Sequence, residues 1–239
     1  MNRILFEEKA ARYLLDAQDN RFDHVRGVLR MGKGDSFDVG CLNGPVGKAT
    51  VLSLDATGLE IEVEWGELPP QPPAVHLVVG MCRPATARKI LTTAPTLGVR
   101  SLTFVPGARS DPAYAKSRLW TSGEWRSRLI EGVEQAFDTW LPAMHLPDSL
   151  QTACTEIPPG ARRLALDVYE GIGSLSETNL MPDSPVCLAI GPERGWAKPD
   201  RDLLRAHDFE LVSLGSRVLR VETAVTAGLA LVLGNTGAL

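Results

Sequence analysis

A small β-rich domain followed by a larger α/β domain on a parallel sheet is the fold class this sequence predicts, and three observations predict it. The first is ELPPQPPAV, where Pro69, Pro70, Pro72 and Pro73 favour an extended, semi-rigid connection that marks a boundary. The second is the pattern before it: segments 36–39, 48–54 and 59–65 alternate or cluster β-formers, with Asn43-Gly44 and Thr57-Gly58 as turn signals. The third is the pattern after it, where short apolar runs alternate with longer helical segments, as crossover connections between parallel strands require. A length of 239 residues is compatible with one large or two modest domains.

Taken in order, the second region predicts a strand at 75–80, a helix at 85–97 and a strand at 101–105. A second helix is expected over 122–137, with no capping box because Trp125 stands three residues after Ser122. Strands follow at 164–168, 186–190 and 211–214, and no internal repeat or low-complexity tract interrupts them.

Composition narrows the functional classes. With 44% hydrophobic and 23% charged residues, the chain has the makeup of an ordinary globular protein able to build real cores. Its longest apolar stretch, 224–233, contains Thr226 and Gly228 and falls short of the ~20 residues a bilayer span needs. Glu7, Glu8 and Lys9 stand where a signal peptide requires an unbroken apolar run, so a cytoplasmic protein is expected. Cys41, Cys82, Cys154 and Cys187 are widely spaced and read as reduced, mostly buried thiols. His24, His76, His145 and His207 are equally scattered, so no metal site is expected.

A net charge of −4 argues weakly against nucleic-acid binding, but the charge is polarised. Arg3, Lys9, Arg12, Arg21, Arg26, Arg30 and Lys33 crowd the N-terminal segment, whereas Lys48 is the one basic residue of 34–68. Either a basic face or a solvated surface accounts for that cluster.

The informative region is the last third. Three apolar strands run straight into polar or glycine-rich loops, in LALDVYEG, CLAIGPERGW and LVSLGSRVLRVETA. Open α/β sheets bind ligands beyond the carboxyl ends of their strands, which makes these loops the leading site candidates. Gly191, Gly195 and Gly215 allow close main-chain approach to a ligand; tight strand-to-helix turns explain them equally well. Pro199, Asp200 and Asp202 mark a helix start. GIGSLS lacks the third glycine of a dinucleotide fingerprint, GPVGKAT lacks phosphate-loop spacing, and no GxSxG nucleophile elbow occurs.

GPERG at 191–195 and LGSRVLRVETA at 214–224 resemble GPEGG and LGxRILRxETA, two motifs of the 16S ribosomal RNA uracil-N3 methyltransferase family in the SPOUT superfamily. Val218 is the one conservative exchange in the second motif. FDHVRGVLR, GDSFDV from Gly34 and Asn43-Gly44 resemble that family's N-terminal PUA-like domain. The resemblance implies a PUA-like RNA-binding domain at 1–70 and a trefoil-knotted methyltransferase domain at 74–239. It further implies S-adenosylmethionine as cofactor, a homodimer, and 16S ribosomal RNA or the assembled small subunit as partner. The family's cofactor loops fall on Leu166, Asp167 and Val168; on Ile190, Gly191, Pro192, Glu193 and Gly195; and on Leu214, Gly215, Val218 and Leu219. Arg194 replaces the family's glycine, Thr93 and Thr96 replace a lysine and a glutamate, and ERS reads Ala108-Arg109-Ser110. A fold relative that binds RNA or assists ribosome assembly without catalysis is the alternative.

Methylating uracil N3 spreads negative charge onto O2 and O4 as the proton leaves, and an aimed guanidinium stabilises it as an oxyanion hole does. Arg220 and Arg217 are the catalytic candidates, Arg220 ranked first. Arg3, Arg26, Arg30, Arg83 and Arg109 are candidate RNA contacts. Glu193 orients the cofactor loop, touches substrate or caps a turn; Glu222, in the first turn of a helix, is read as structural. Trp120, Phe137 and Trp140 pack in a core or stack on bases. The closing helix, small or apolar on nearly every side, needs burial all round, and a subunit interface through Ala227, Gly228 and Ala230 would supply it.

Overall fold

A computed structural model describes residues 2–182 and 184–239. They form two units: the chain up to Gln71 together with Val133–Leu141, and Pro72–Gly132 together with Pro142–Leu239. The break at Gln71 falls within the proline-rich stretch.

The first unit contains β1 (Ile4–Phe6), β2 (Arg12–Asp16), the helical turn α1 (Asn20–Asp23), a π-helical turn at His24–Val28, β3 (Ser36–Cys41), β4 (Val46–Leu54) and β5 (Gly58–Trp65). The strands form one mixed sheet in the order β1-β3-β4-β5-β2, antiparallel except where β1 joins β3. Along β5 the side chains of Leu59, Ile61 and Val63 are buried while Glu60, Glu62 and Glu64 point away from the core. This period of two gives the sheet one apolar face. Phe6, Phe22, Val25, Phe37, Val39 and Val51 complete the core beneath it.

The second unit runs β6 (Val75–Gly80), α2 (Pro84–Thr96), β7 (Ser101–Val105), α3 (Pro112–Ala115), α4 (Arg118–Thr121), α5 (Glu124–Gln135, whose last turn belongs to the first unit) and β8 (Ala143–His145). It continues with α6 (Leu150–Thr155), β9 (Arg162–Leu166), β10 (Gly173–Ser174), a 3-10 turn at Leu175–Glu177, β11 (Val186–Ile190), α7 (Lys198–Ala206), β12 (Glu210–Ser213) and α8 (Val221–Asn235). Every pairing in the sheet β10-β12-β9-β11-β6-β7-β8 is parallel. β7 and β11 are buried along their whole length, as strands covered on both faces must be. Leu150, Cys154 and Leu204 from α6 and α7 join Val78, Ala165, Ala189 and the fully buried Trp196 in one core cluster.

Two expectations change. The 122–137 helix spans only Glu124–Gln135, because Phe137 adopts a positive φ of 59° and turns the chain away. On α8, Gly228 serves close packing within its own chain: a Cβ there would lie 3.0 Å from Leu188 Cδ2 and 3.3 Å from Leu166 Cδ1. Val225, Leu229 and Val232 share that buried side, whereas Ala227, Ala230 and Leu231 are half-buried and Thr223 and Thr226 exposed.

Candidate functional site

β12, β9, β11 and β6 are neighbours in a parallel sheet, so their carboxyl ends and the loops that leave them share one edge. The loops after β9, β11 and β12 close on a crevice of about 160 Å³. Leu166, Asp167 and Val168 line it from the first loop, and Ile190, Gly191, Pro192, Glu193 and Gly195 from the second. Leu214, Gly215, Val218 and Leu219 line it from the third. Tyr169, Arg194, Ser213, Val221 and Ala224 also belong to the wall and lay outside the sequence-based set. Arg194, Val221 and Ala224 stand within the two motifs, Tyr169 follows Val168, and Ser213 closes β12.

Close main-chain packing shapes the second loop. A Cβ on Gly80 would meet Pro192 Cδ at 2.4 Å and its nitrogen at 2.7 Å, so the end of β6 must be glycine for the loop to lie against it. Gly195 takes φ 66° and donates its N–H to Pro192 O at 2.7 Å, closing the turn. Glu193 Oε1 accepts the N–H of Arg83, the residue before α2, at 2.9 Å. Of the roles open to Glu193, this contact supplies loop orientation. In the third loop Gly215 takes φ 101°.

Asp167 is buried, and its carboxylate serves its own loop: Oδ1 accepts the N–H groups of Tyr169 at 2.8 Å and Glu170 at 2.9 Å. Asp200, also buried, accepts from Ala197 at 2.9 Å and from Ala108 at 3.1 Å, fixing the start of α7 and the loop after β7. Glu222 accepts from Lys89 Nζ at 3.0 Å, and that hydrogen bond holds its carboxyl below the usual range. Burial pushes the Cys82 thiol up to about 12, with the Glu193 charge adding to the shift. A thiol so protonated is a poor nucleophile. All four cysteines are free and buried.

The arginines separate by position. Arg217 is exposed and lines the crevice; Arg220 is exposed at the N-cap of α8, outside the lining. Arg83 and Arg109 meet in an adjoining groove with Tyr114, Glu193 and Arg194. There Arg109 Nη1 donates to Arg194 O at 2.8 Å. In the first unit, Arg3 donates to Phe137 O and lies 5.1 Å from the centre of the Phe137 ring, so its guanidinium is engaged within the fold. Arg26 sits 5.7 Å from the Phe22 ring, and Arg30 is exposed at φ 53°. Of the aromatic candidates, Trp120 is core, 4.9 Å from Phe104. Trp140 Nε1 donates to Pro69 O at 3.0 Å.

A parallel sheet whose strand-end loops meet in one partly apolar crevice defines an α/β small-molecule-binding domain. Residues 69–233 match the family model described as RNA methyltransferase domain, and the chain belongs to that family. Ribosomal RNA small subunit methyltransferase E of Treponema pallidum is 34% identical, with 100% of this chain and 92% of the relative covered. The protein of the same name from Synechocystis sp. is 31% identical, covering 87% of this chain and 68% of its own length. Among solved structures, ribosomal RNA small subunit methyltransferase E from Neisseria gonorrhoeae bound to S-adenosyl methionine superposes with a TM-score of 0.80 at 22% identity, covering 98% of this chain and 97% of that one. A Legionella pneumophila structure with bound SAM superposes at 0.82 and 23% identity, covering 97% and 96%. Among the described residues no helix is long and apolar enough to cross a membrane.

Proposed function

We propose that this chain transfers a methyl group from S-adenosylmethionine to N3 of a uridine in 16S ribosomal RNA. One observation carries the reading: the crevice at the sheet edge is walled by the same segments, 191–195 and 214–219, that hold the two motifs. The names of the relatives, ribosomal RNA small subunit methyltransferases, support the substrate class.

The lining suits the cofactor. Leu166, Val168, Ile190 and Leu219 offer apolar surface to an adenine ring, while Gly191, Gly195 and Gly215, having no side chain, let the main chain of the second and third loops come close to it. When bound, S-adenosylmethionine supplies an electrophilic methyl group on a sulfonium. The residues of the chain contribute placement and charge stabilisation. The Arg217 guanidinium, at the crevice wall, faces the negative charge that builds on uracil O2 and O4 as the N3 proton leaves to solvent. Arginine stays protonated there and does not act as the base. Arg220, at the N-cap of α8, takes second place on this geometry. Arg83 and Arg109, with Arg194 beside them, hold backbone phosphates next to the crevice; Arg26 and Arg30 supply further phosphate contacts from the first unit.

The same reading gives residues 1–70 a PUA-like barrel, gives 74–239 a trefoil-knotted path, and pairs two copies through the half-buried side of α8. The mixed five-stranded sheet and the packing of α8 against β11 agree with it.

The test is methyl transfer. Small subunits from cells lacking the enzyme, incubated with the protein and labelled S-adenosylmethionine, are expected to yield labelled 3-methyluridine on nucleoside mass analysis. Label in another nucleoside overturns the acceptor. Cofactor binding with no transfer favours a non-catalytic assembly factor.

A further inference from the structure

One guanidinium stands behind the crevice rather than in its wall. Arg201, in the first turn of α7, and Asp167, after β9, have side chains only 10% and 2% exposed and meet at 3.3 Å. The same Arg201 Nη1 donates to Trp196 O, in the segment after β11, at 2.7 Å. Arg201 Nε forms an ion pair with Glu170 Oε1 at 2.8 Å. Arg205, one turn on, holds the other Glu170 oxygen at 2.6 Å. A single side chain thus reaches both segments that form two walls of the crevice.

We infer that Arg201 is a positioning residue that sets the separation of the 167–170 and 191–196 loops, and through it the affinity for the methyl donor. This rests on the reading that S-adenosylmethionine occupies the crevice. The chemistry favours this role over simple stabilisation. Burying an ion pair desolvates both charges, and a packed apolar pair often serves stability as well or better. What an arginine fork adds is direction, since its planar donors fix the carboxylate and the carbonyl at set angles. The Asp167 carboxylate is saturated from the other side by two amides of its own loop, so moving Arg201 moves that loop. The base of the fork is rigid as well, because Asp200 pins the α7 start through the Ala197 and Ala108 amides.

The test uses the full-length protein, with S-adenosylmethionine titrated by calorimetry into wild type, Arg201→Gln, Arg201→Lys, Asp167→Asn and the Arg201→Gln/Asp167→Asn double variant. Hydrogen exchange is measured on each without ligand. Arg201→Gln is expected to weaken binding roughly tenfold or more, the scale of a lost charge-assisted hydrogen bond, with Arg201→Lys intermediate. The double variant is expected to bind no more weakly than the worse single variant, because both substitutions cut one tie. Exchange is expected to quicken in both loops and to stay unchanged in β6 and β7. A purely structural role would lower the melting temperature and leave the folded protein's affinity intact. Should Arg201→Gln not fold, Arg201→Lys and Asp167→Asn carry the same comparison, since the amide side chain of Asp167→Asn keeps an oxygen to accept the loop N–H groups. Wild type that binds while folded variants match it within twofold overturns this inference alone. Wild type that does not bind overturns the cofactor reading with it.

Discussion

Glu193 and Arg83 stand 110 positions apart in the chain and are joined by a carboxylate-to-amide hydrogen bond of 2.9 Å. The bond fastens the loop after β11 to the cap of α2, and helix starts have main-chain donors with no partner inside the helix. Replacing Glu193 with Ala removes the acceptor, at a cost of about 1 kcal/mol or roughly fivefold in S-adenosylmethionine affinity. Glu193→Gln keeps an acceptor and is expected to retain most of the affinity. Equal binding by wild type and Glu193→Ala, measured by calorimetry, would show that the fastening does not shape the crevice.

Gly80 tests the other side of that loop. Alanine there places its Cβ 2.4 Å from Pro192 Cδ, against a neighbour that is ring and main chain and has little room to yield. Overpacking of this kind costs roughly 1–3 kcal/mol. Thermal melts are expected to show that loss, and cofactor titration a weaker complex. Gly173→Ala is the control: its Cβ meets nothing within 4 Å, and near-native behaviour is expected.

The ranking of the two arginines is open to kinetics. Arg217→Ala is expected to lower kcat by roughly a hundredfold or more, as losing one oxyanion-type donor does, with cofactor affinity held within a few-fold. Arg220→Ala is expected to lose less, because Arg220 stands outside the crevice wall. Lysine at 217 restores charge without the planar fork and should rescue only in part. A larger loss from Arg220→Ala would reinstate the order inferred from the motif.

Acid stability follows from Glu124. Arg88 donates to both of its oxygens, at 2.7 and 3.0 Å, and lowers its carboxyl from 4.5 to about 2. A depressed carboxylate contributes stability that is complete above the unfolded value and is lost as pH falls through the folded one. Melting temperatures are therefore expected to fall for wild type between pH 5 and about pH 2. Glu124→Gln starts lower at pH 7 and should converge on wild type across that window. A constant gap between the two curves would contradict the sign of the shift.

Much of the parallel sheet was legible because its strands announce themselves: VCLAI is an unbroken apolar run, SLTFV is apolar apart from Ser101 and Thr103, and both are buried end to end. The loops were legible for a related reason, since glycines at 191, 195 and 215 follow strand ends, and two of them take positive φ. Short edge elements were not. β8 and β10 have three and two residues, too few to carry a period, and β1 is a fully buried triplet. The place of Val133–Leu141 in the first unit was also hidden, because it depends on distant contacts such as Thr139 Oγ1 to Gly44 O at 2.7 Å. Arg201 stands between Asp200 and Asp202 at a polar helix start and matches no motif residue. Only the fold shows that its side chain turns inward to Asp167.

Where the methyl donor sits is decided by a crystal structure of the protein with S-adenosylmethionine. The expected result is density for the whole ligand between Leu166, Gly191 and Leu219, with its methyl group directed toward Arg217. Density at a different surface, or none at saturating ligand, would contradict the account.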